Sequence, residues 1–351
     1  MSAGVVLCAF GEPATPDREA VVDYLERIFL QNAQLESPGS QDEAQDRARQ
    51  LAERRAPGLI EEYESIDGSP LNAQATAQAE AVGRTLAERG LDAETYVGMQ
   101  FTEPFLEDVV EEALADGIDH LVGLPVYPLC GPSTTVAGLE RLRTAVDETD
   151  AELTLDEVSG WHRHPGYARL RAENIRSSVA ERGLDLTAAD TELVCSAHGT
   201  PLRYLEAGSR YRTYVEEHCA TLAGLLDVDE YTLGYQNHAN RDVDWTEPDV
   251  EDAIEEIEAE RIVVEPVSFL HEQSETLVEL DDDLREDATE HGLEFHRVPV
   301  PHDHPRLPEL LADLLEPFLA DFAPTSYNFR PCQCRDGPGT VCLNAPLAPI
   351  E

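Results

Sequence analysis

Leu193-Val194-Cys195-Ser196-Ala197-His198-Gly199-Thr200-Pro201 is a buried-looking β run that delivers a histidine and then stops at glycine and proline. An earlier run ends alike, in Ala9-Phe10-Gly11-Glu12-Pro13. A second pair of matches lies further along each half. Leu124-Pro125-Val126 precedes Tyr127-Pro128-Leu129, and Glu265-Pro266-Val267 precedes Ser268-Phe269-Leu270. This faint internal repeat predicts two related halves of four strands each, joined near residues 140–185.

Short β-rich runs alternate with amphipathic helical periodicity along the whole chain. Strands are predicted at residues 5–10, 95–99, 121–127, 153–158, 193–197, 231–235, 262–267 and 295–300. A helix is predicted over 17–35, with Val21, Leu25, Ile28 and Phe29 on one face, Thr15 as N-cap and Pro16 at the first helical position. Another is predicted over 107–115. Such alternation implies parallel sheets in an α/β fold. The first half is placed at 1–150 and the second at 151–323. Beyond that the composition turns to Pro, Gly, Cys and Asn, so 324–351 reads as a cysteine-containing tail.

The 351 residues carry a formal charge of −46, and all 25 basic side chains are arginine. That charge repels phosphate backbones and excludes DNA or RNA as partners. The acidic residues are spread over helical faces, the style of proteins that work in very high salt. No apolar run approaches the roughly 20 residues needed to span a bilayer. The start of the chain lacks the pattern of a signal peptide, so a cytoplasmic location is expected. Neither a G-x-G-x-x-G, a Walker loop nor an HExxH motif is present.

In open α/β sheets ligands sit beyond the C-terminal ends of the strands. Phe10, Tyr127, His198 and the segment from Ser268 fall there. His198 is either a titrating group at a cleft mouth or a loop histidine with a structural hydrogen bond. Downstream, Glu275, Glu279 and Asp283 stand at i, i+4 and i+8, one stripe of a helix if the segment is helical. Three stacked carboxylates either pass a hard divalent cation inward or form a solvated face. The pairs His162/His164 and His302/His304 lack a completing ligand set and read as surface loops.

With these motifs in hand, the chain resembles the ferrochelatase family over nearly all of residues 4–322. VVLCAFGEP resembles the family's opening strand and turn, IDGSPL at 66–71 its Gly-x-Ser-Pro-Leu signature, and YVGMQFTEPFLEDVV its Gly-Met segment. LPVYPLCGPSTT, SAHGTP, YQNHANRDVDWTEP and SFLHEQSETLVELD are similar to its later motifs, in order. The resemblance implies two Rossmann-like halves, each a four-stranded parallel sheet flanked by helices, around a porphyrin cleft. It implies that His198 and Glu275 are catalytic and face the macrocycle centre, with Glu279 and Asp283 as outer metal stations. The second half then carries the metal-insertion residues. Ferrous iron and protoporphyrin IX or coproporphyrin III are the implied substrates, in haem biosynthesis, with transient contact with other haem-pathway enzymes. Neutral His198, with a pKa near its unperturbed value of about 6.5, would accept a pyrrole proton. Phe10, Phe101, Tyr127 and Trp245 either line the cleft or belong to ordinary core. Two departures stand out: Gln273 where the family often has histidine, and Gln100 where it often has a basic residue.

The alternatives are a sirohydrochlorin-type cobalt chelatase, which commonly has a second histidine facing the first, and a porphyrin or haem carrier without turnover. In the tail, Cys332, Cys334 and Cys342 crowd together. Some ferrochelatases hold a [2Fe–2S] cluster on three tail cysteines and one internal cysteine, for which Cys130 is the internal candidate. Zinc, or free thiols, are the other readings.

Overall fold

The structure is a computed structural model that describes residues 2–36, 41–237, 243–320, 329–332 and 339–344. Residues 4–9 are buried without a break, as in a strand covered on both faces. This strand, β1 (Ala3–Ala9), is followed by α1 (Arg18–Glu36), α2 (Gln41–Ser65), α3 (Leu71–Glu88), β2 (Ala93–Met99), α4 (Leu106–Ala115) and β3 (His120–Pro125). A π-helical turn, Pro132–Val136, then runs into α5 (Ala137–Asp147) and β4 (Thr154–Val158). The four strands are parallel, in the order β2-β1-β3-β4.

The second half repeats this plan. After α6 (Pro165–Glu181) come β5 (Thr191–His198), α7 (Leu202–Glu206), α8 (Tyr211–Leu226), β6 (Thr232–Gln236), α9 (Val250–Glu255) and β7 (Arg261–Pro266). The next stretch holds α10 (Ser274–Leu277), a second π-helical turn Glu279–Leu284, α11 (Arg285–Glu290), β8 (Glu294–Arg297) and α12 (Leu307–Leu319). Its sheet is parallel in the order β6-β5-β7-β8. The same strand order recurs, and a π-helical turn follows the third strand of each sheet. The eight strands anticipated from the sequence are all present, and the α/β class with two parallel sheets holds.

Four details differ from expectation. Asp17, not Thr15, caps α1: its Oδ1 accepts the N–H groups of Glu19 and Ala20, both at 3.1 Å, because a carboxylate reaches two donors at once. β4 (Thr154–Val158), assigned to the second half, belongs to the first sheet, since it pairs with β3. The chain also returns at its end. Leu307, Leu310, Leu311, Leu314 and Leu315 form one face of α12 and pack with Leu7, Val122, Leu124 and Trp161 of the first half. The first half is therefore not a continuous stretch of sequence, whereas β5 to β8 follow one another without a break. Finally, the tail is not all without regular structure. β9 (Arg330–Pro331) and β10 (Thr340–Cys342) extend the first sheet, β10 lying parallel to β4.

One buried ion pair ties α6 to the second sheet. Arg171 and Glu265 are both fully buried, and Arg171 Nε donates to Glu265 Oε1 at 2.6 Å. The guanidinium also donates to the carbonyls of Phe269 (2.7 Å) and Pro266 (2.8 Å). Arg171→Ala would strand a buried carboxylate and two carbonyls. It is expected to cost about 3–5 kcal/mol in equilibrium denaturation. A loss below about 0.5 kcal/mol, the scale of an ordinary surface change, would show that the pair holds nothing.

Candidate active site

β5 and β7 are neighbours in the second sheet, so the residues just past their ends meet. His198 closes β5. Its backbone N–H donates to Ser268 Oγ at 3.0 Å, and its carbonyl accepts from the Tyr211 hydroxyl at 3.0 Å. The turn after it has no room for a side chain: a Cβ at Gly199 would collide with Asn237 Oδ1 and the Gln236 carbonyl. His198 Nδ1 lies 2.6 Å from the Gly199 carbonyl. A carbonyl only accepts, so Nδ1 carries hydrogen and Nε2 is the end turned outward.

That outward nitrogen lies 3.0 Å from Glu275 Oε1, with both side chains partly open to solvent. The two residues singled out in the sequence, 77 positions apart, are brought into contact. Burial opposes charge on His198, but the facing Glu275 carboxylate outweighs it and raises the histidine to about 9. The resting imidazole is therefore protonated at neutral pH, a correction to the expected value of about 6.5. Gln273 donates through Nε2 to Glu275 Oε2, so the departure at 273 orients the carboxylate.

The acidic line continues outward, though not as one α-helix. α10 is a single turn, and the Asp283 N–H reaches back five residues to the Val278 carbonyl at 3.0 Å. That wider winding replaces the strict i, i+4, i+8 stripe. Gln236 bridges the inner members: its Nε2 donates to the Glu275 carbonyl at 2.9 Å and to Glu279 Oε2 at 3.0 Å. Burial and the Glu275 charge raise Glu279 to about 8. Asp283 is exposed, and burial with the Asp282, Asp287 and Glu286 charges raises it as well.

The aromatic candidates separate. Phe10 and Tyr127 stand half-buried past β1 and β3, and burial with the Glu275 and Glu12 charges pushes the Tyr127 phenol upward. Phe101 is only 1% exposed and packs beneath Phe10 at 4.5 Å, so it is core. Trp245 is half-buried and bridges to Pro201, beside the His198 turn. Gln100 is buried, with its amide donating to the Thr134 carbonyl at 2.9 Å. His162 and His164 are buried rather than surface residues, because Trp161 and Tyr167 draw their loop into the core.

Sequence reading missed Glu12, which is buried against the Glu275 turn, as well as Ser274 and Gln236. The only signal for Glu12 was its place in the repeat, opposite Thr200.

The tail cysteines come partly into view. Cys342 and Cys130 are buried, and Cys332 is half-buried. Cys130 and the residue after Cys342 both meet Gly160. Leu343 N–H donates to its carbonyl at 2.8 Å, and Cys130 Cβ would lie 3.1 Å from a Cβ built on it. Cys334 lies outside the described residues. Among the described residues no three His, Cys, Asp or Glu side chains gather as a metal site.

Two parallel sheets thus bring a histidine and a carboxylate face to face past the strand ends. Solved structures share this fold. One is CbiX, the terminal enzyme for biosynthesis of siroheme in denitrifying bacteria, at TM-score 0.51 and 18% identity over 90% of this chain and all of that one. Another is SirB from Bacillus subtilis with Fe3+, at TM-score 0.50 and 10% identity over 91% of this chain and 96% of that one. The ferrochelatase family model matches residues 2–318. The ferrochelatase of Synechococcus sp. RCC307 is 39% identical over 74% of this chain and 68% of its own length. That of Nostoc punctiforme is 35% identical over 76% and 70%. The chain belongs to the ferrochelatase family, enzymes that insert ferrous iron into a porphyrin.

The His198–Glu275 pair gives a pH signature. Its folded-state pKa lies above the unfolded value of about 6.5. Its stabilisation is therefore complete below about pH 6.5 and is lost as the pH rises through about 9. Imidazole resonances of His198 should titrate near 9 in the wild type and clearly lower in Glu275→Gln, where the facing charge no longer outweighs burial. A wild-type midpoint near 6.5 would contradict the pairing.

Proposed function

We propose that this chain inserts ferrous iron into a porphyrin with His198 and Glu275 as its catalytic pair. The contact of His198 Nε2 with Glu275 Oε1, 3.0 Å at the open ends of β5 and β7, carries the reading. At rest the pair is imidazolium and carboxylate. Ferrous iron arriving past Asp283 and Glu279 is ligated by Glu275 oxygen, which replaces part of its hydration. The cation cancels the charge that held the imidazolium, so His198 gives its proton to solvent. Neutral Nε2 then faces a pyrrole N–H and accepts its proton. The second pyrrole proton passes to a carboxylate of the line as the metal leaves it, and two protons are released per iron inserted. Phe10, Tyr127 and Trp245 flank the macrocycle in this reading.

His198→Ala is expected to abolish insertion while porphyrin binding and the folded state persist. Wild-type turnover in an anaerobic ferrous assay at molar salt would sink that role. Glu275→Gln should remove nearly all activity, whereas Glu279→Gln and Asp283→Asn should chiefly raise the iron concentration needed. Three equal and small effects would make the line solvated surface. Protoporphyrin IX and coproporphyrin III compared side by side decide the substrate. We place the reaction in the cytoplasm; no helix among the described residues is long and apolar enough to cross a membrane.

We also read Cys130, Cys332, Cys334 and Cys342 as ligands of a [2Fe–2S] cluster that staples the tail to the first half. The thiol chemistry supports this reading, with Cys130 and Cys342 both buried and Leu343, next to Cys342, bonded to the same Gly160 that Cys130 lies against. Anaerobically purified protein should be red-brown, and Cys334→Ser should bleach it. Colourless protein without bound iron, sulfide or zinc rejects the cluster.

A further inference from the structure

Most carboxylates of this chain face solvent, but Glu12 is 3% exposed. It follows β1 directly. Gly11 makes the turn at φ 81°, where a Cβ would strike Thr102 and Met99. The Glu12 N–H then donates to Asn72 Oδ1 at 3.0 Å, which fixes the backbone and sends the side chain inward. Its carboxylate meets three donors. Oε2 accepts from Ser69 Oγ at 2.5 Å and from the Ser274 N–H at 3.2 Å, and Oε1 accepts from Ser274 Oγ at 2.6 Å. All three donors are uncharged.

Burying a carboxylate against neutral donors is costly, and the fold does not demand it. In the other half the matching turn holds Thr200, which is also buried and exchanges hydrogen bonds with Thr246 at 3.1 Å. A neutral side chain therefore closes this kind of turn. What distinguishes the Glu12 turn is its neighbour across the cleft. Two of its three donors belong to Ser274, the residue before Glu275. The third belongs to Ser69 of the Ile-Asp-Gly-Ser-Pro-Leu stretch between α2 and α3, so this helix connection braces Glu12 from behind while Glu12 itself reaches the turn that carries Glu275. The Glu275 charge is close enough to push the Glu12 carboxyl upward, after burial itself.

We propose that Glu12 is a positioning residue for metal insertion, acting through Ser274 to hold the Glu275 carboxylate against His198. The inference rests on the role given to Glu275 above. With Glu12 in place, two hydrogen bonds pin the backbone and hydroxyl of Ser274, and the single turn Ser274–Leu277 cannot rotate Glu275 away from Nε2. Without it, the serine donors are unpaired and the turn is free to shift.

The test is a steady-state insertion assay with ferrous iron and porphyrin, with rates referred to the folded fraction measured on the same samples. Glu12→Gln sets amide N–H donors against serine donors. It is expected to lower kcat about ten- to a hundred-fold, the scale of a small misplacement of a reacting group. KM for porphyrin should stay within about twofold, because the macrocycle surface is untouched. Ser274→Ala should lower kcat less, and the double variant should be no slower than Glu12→Gln alone, since the two share one route. Wild-type kcat with only a lowered melting temperature, or losses that multiply, would overturn the proposal. If Glu12→Gln does not fold, Ser274→Ala decides alone: unchanged kcat rejects the idea. Glu275→Gln in the same assay separates the two readings. Its inactivity beside a fully active Glu12→Gln rejects only the Glu12 role, and its full activity rejects the catalytic pair itself.

Discussion

The guanidinium of Arg171 holds the piece of backbone on which the site depends. Past β7 the chain must leave the sheet, cross the strand ends and begin a new helical turn at Ser274. Carbonyls in such a crossing have no ladder to join, and buried carbonyls without donors are expensive. Arg171 supplies its rigid fork of donors to Pro266 and Phe269 while its charge is met by Glu265. From the other side Arg297 donates to Glu272 at 2.9 Å, and Glu272 in turn receives the Val300 N–H at 2.8 Å. Gln74 of the first half accepts the Glu272 N–H at 2.8 Å. Each partner comes from a different element, so the crossing is fixed from several directions before any substrate arrives.

A rigid crossing lets electrostatics do chemical work. In a chain of charge −46 a single carboxylate has little effect at the surface, where salt screens it. Between β5 and β7 the screening is weaker. There the Glu275 charge raises His198 to about 9 and helps raise Glu279 to about 8. Both groups stand beside the same Glu275 carboxylate. In the reaction proposed above, metal arrival and proton release would be linked through that same carboxylate.

Much of this was legible in the chain. The eight strands announced themselves because both faces of a parallel sheet are buried, which leaves short apolar runs between polar helices. The repeat was legible because each half places a Pro-containing turn where its first and third strands end. His198 and Glu275 were legible as residues, since a histidine at a strand end and a carboxylate series are local patterns. The π-helical turn at Glu279–Leu284 was not, because Leu280 and Leu284 stand at i, i+4, the spacing that an ordinary α-helix would also bury. Glu12 stayed hidden because one more acidic residue is no signal in so acidic a sequence.

The sequence by itself determined the alternation of strands and helices, the two-fold plan and the strand-end histidine and carboxylate series, because these follow from side-chain period and chemistry close along the chain. The tertiary structure alone decided which residues meet. It sent β4 to the first sheet and α12 back across to it, since apolar faces find partners by shape and not by sequence order. It also set the protonation of His198, turned Gln100 and Phe101 inward, and set Glu12 of one half against Ser274 of the other. Burial and the distance between charges fix these properties, and both arise only when segments far apart in the chain are packed together.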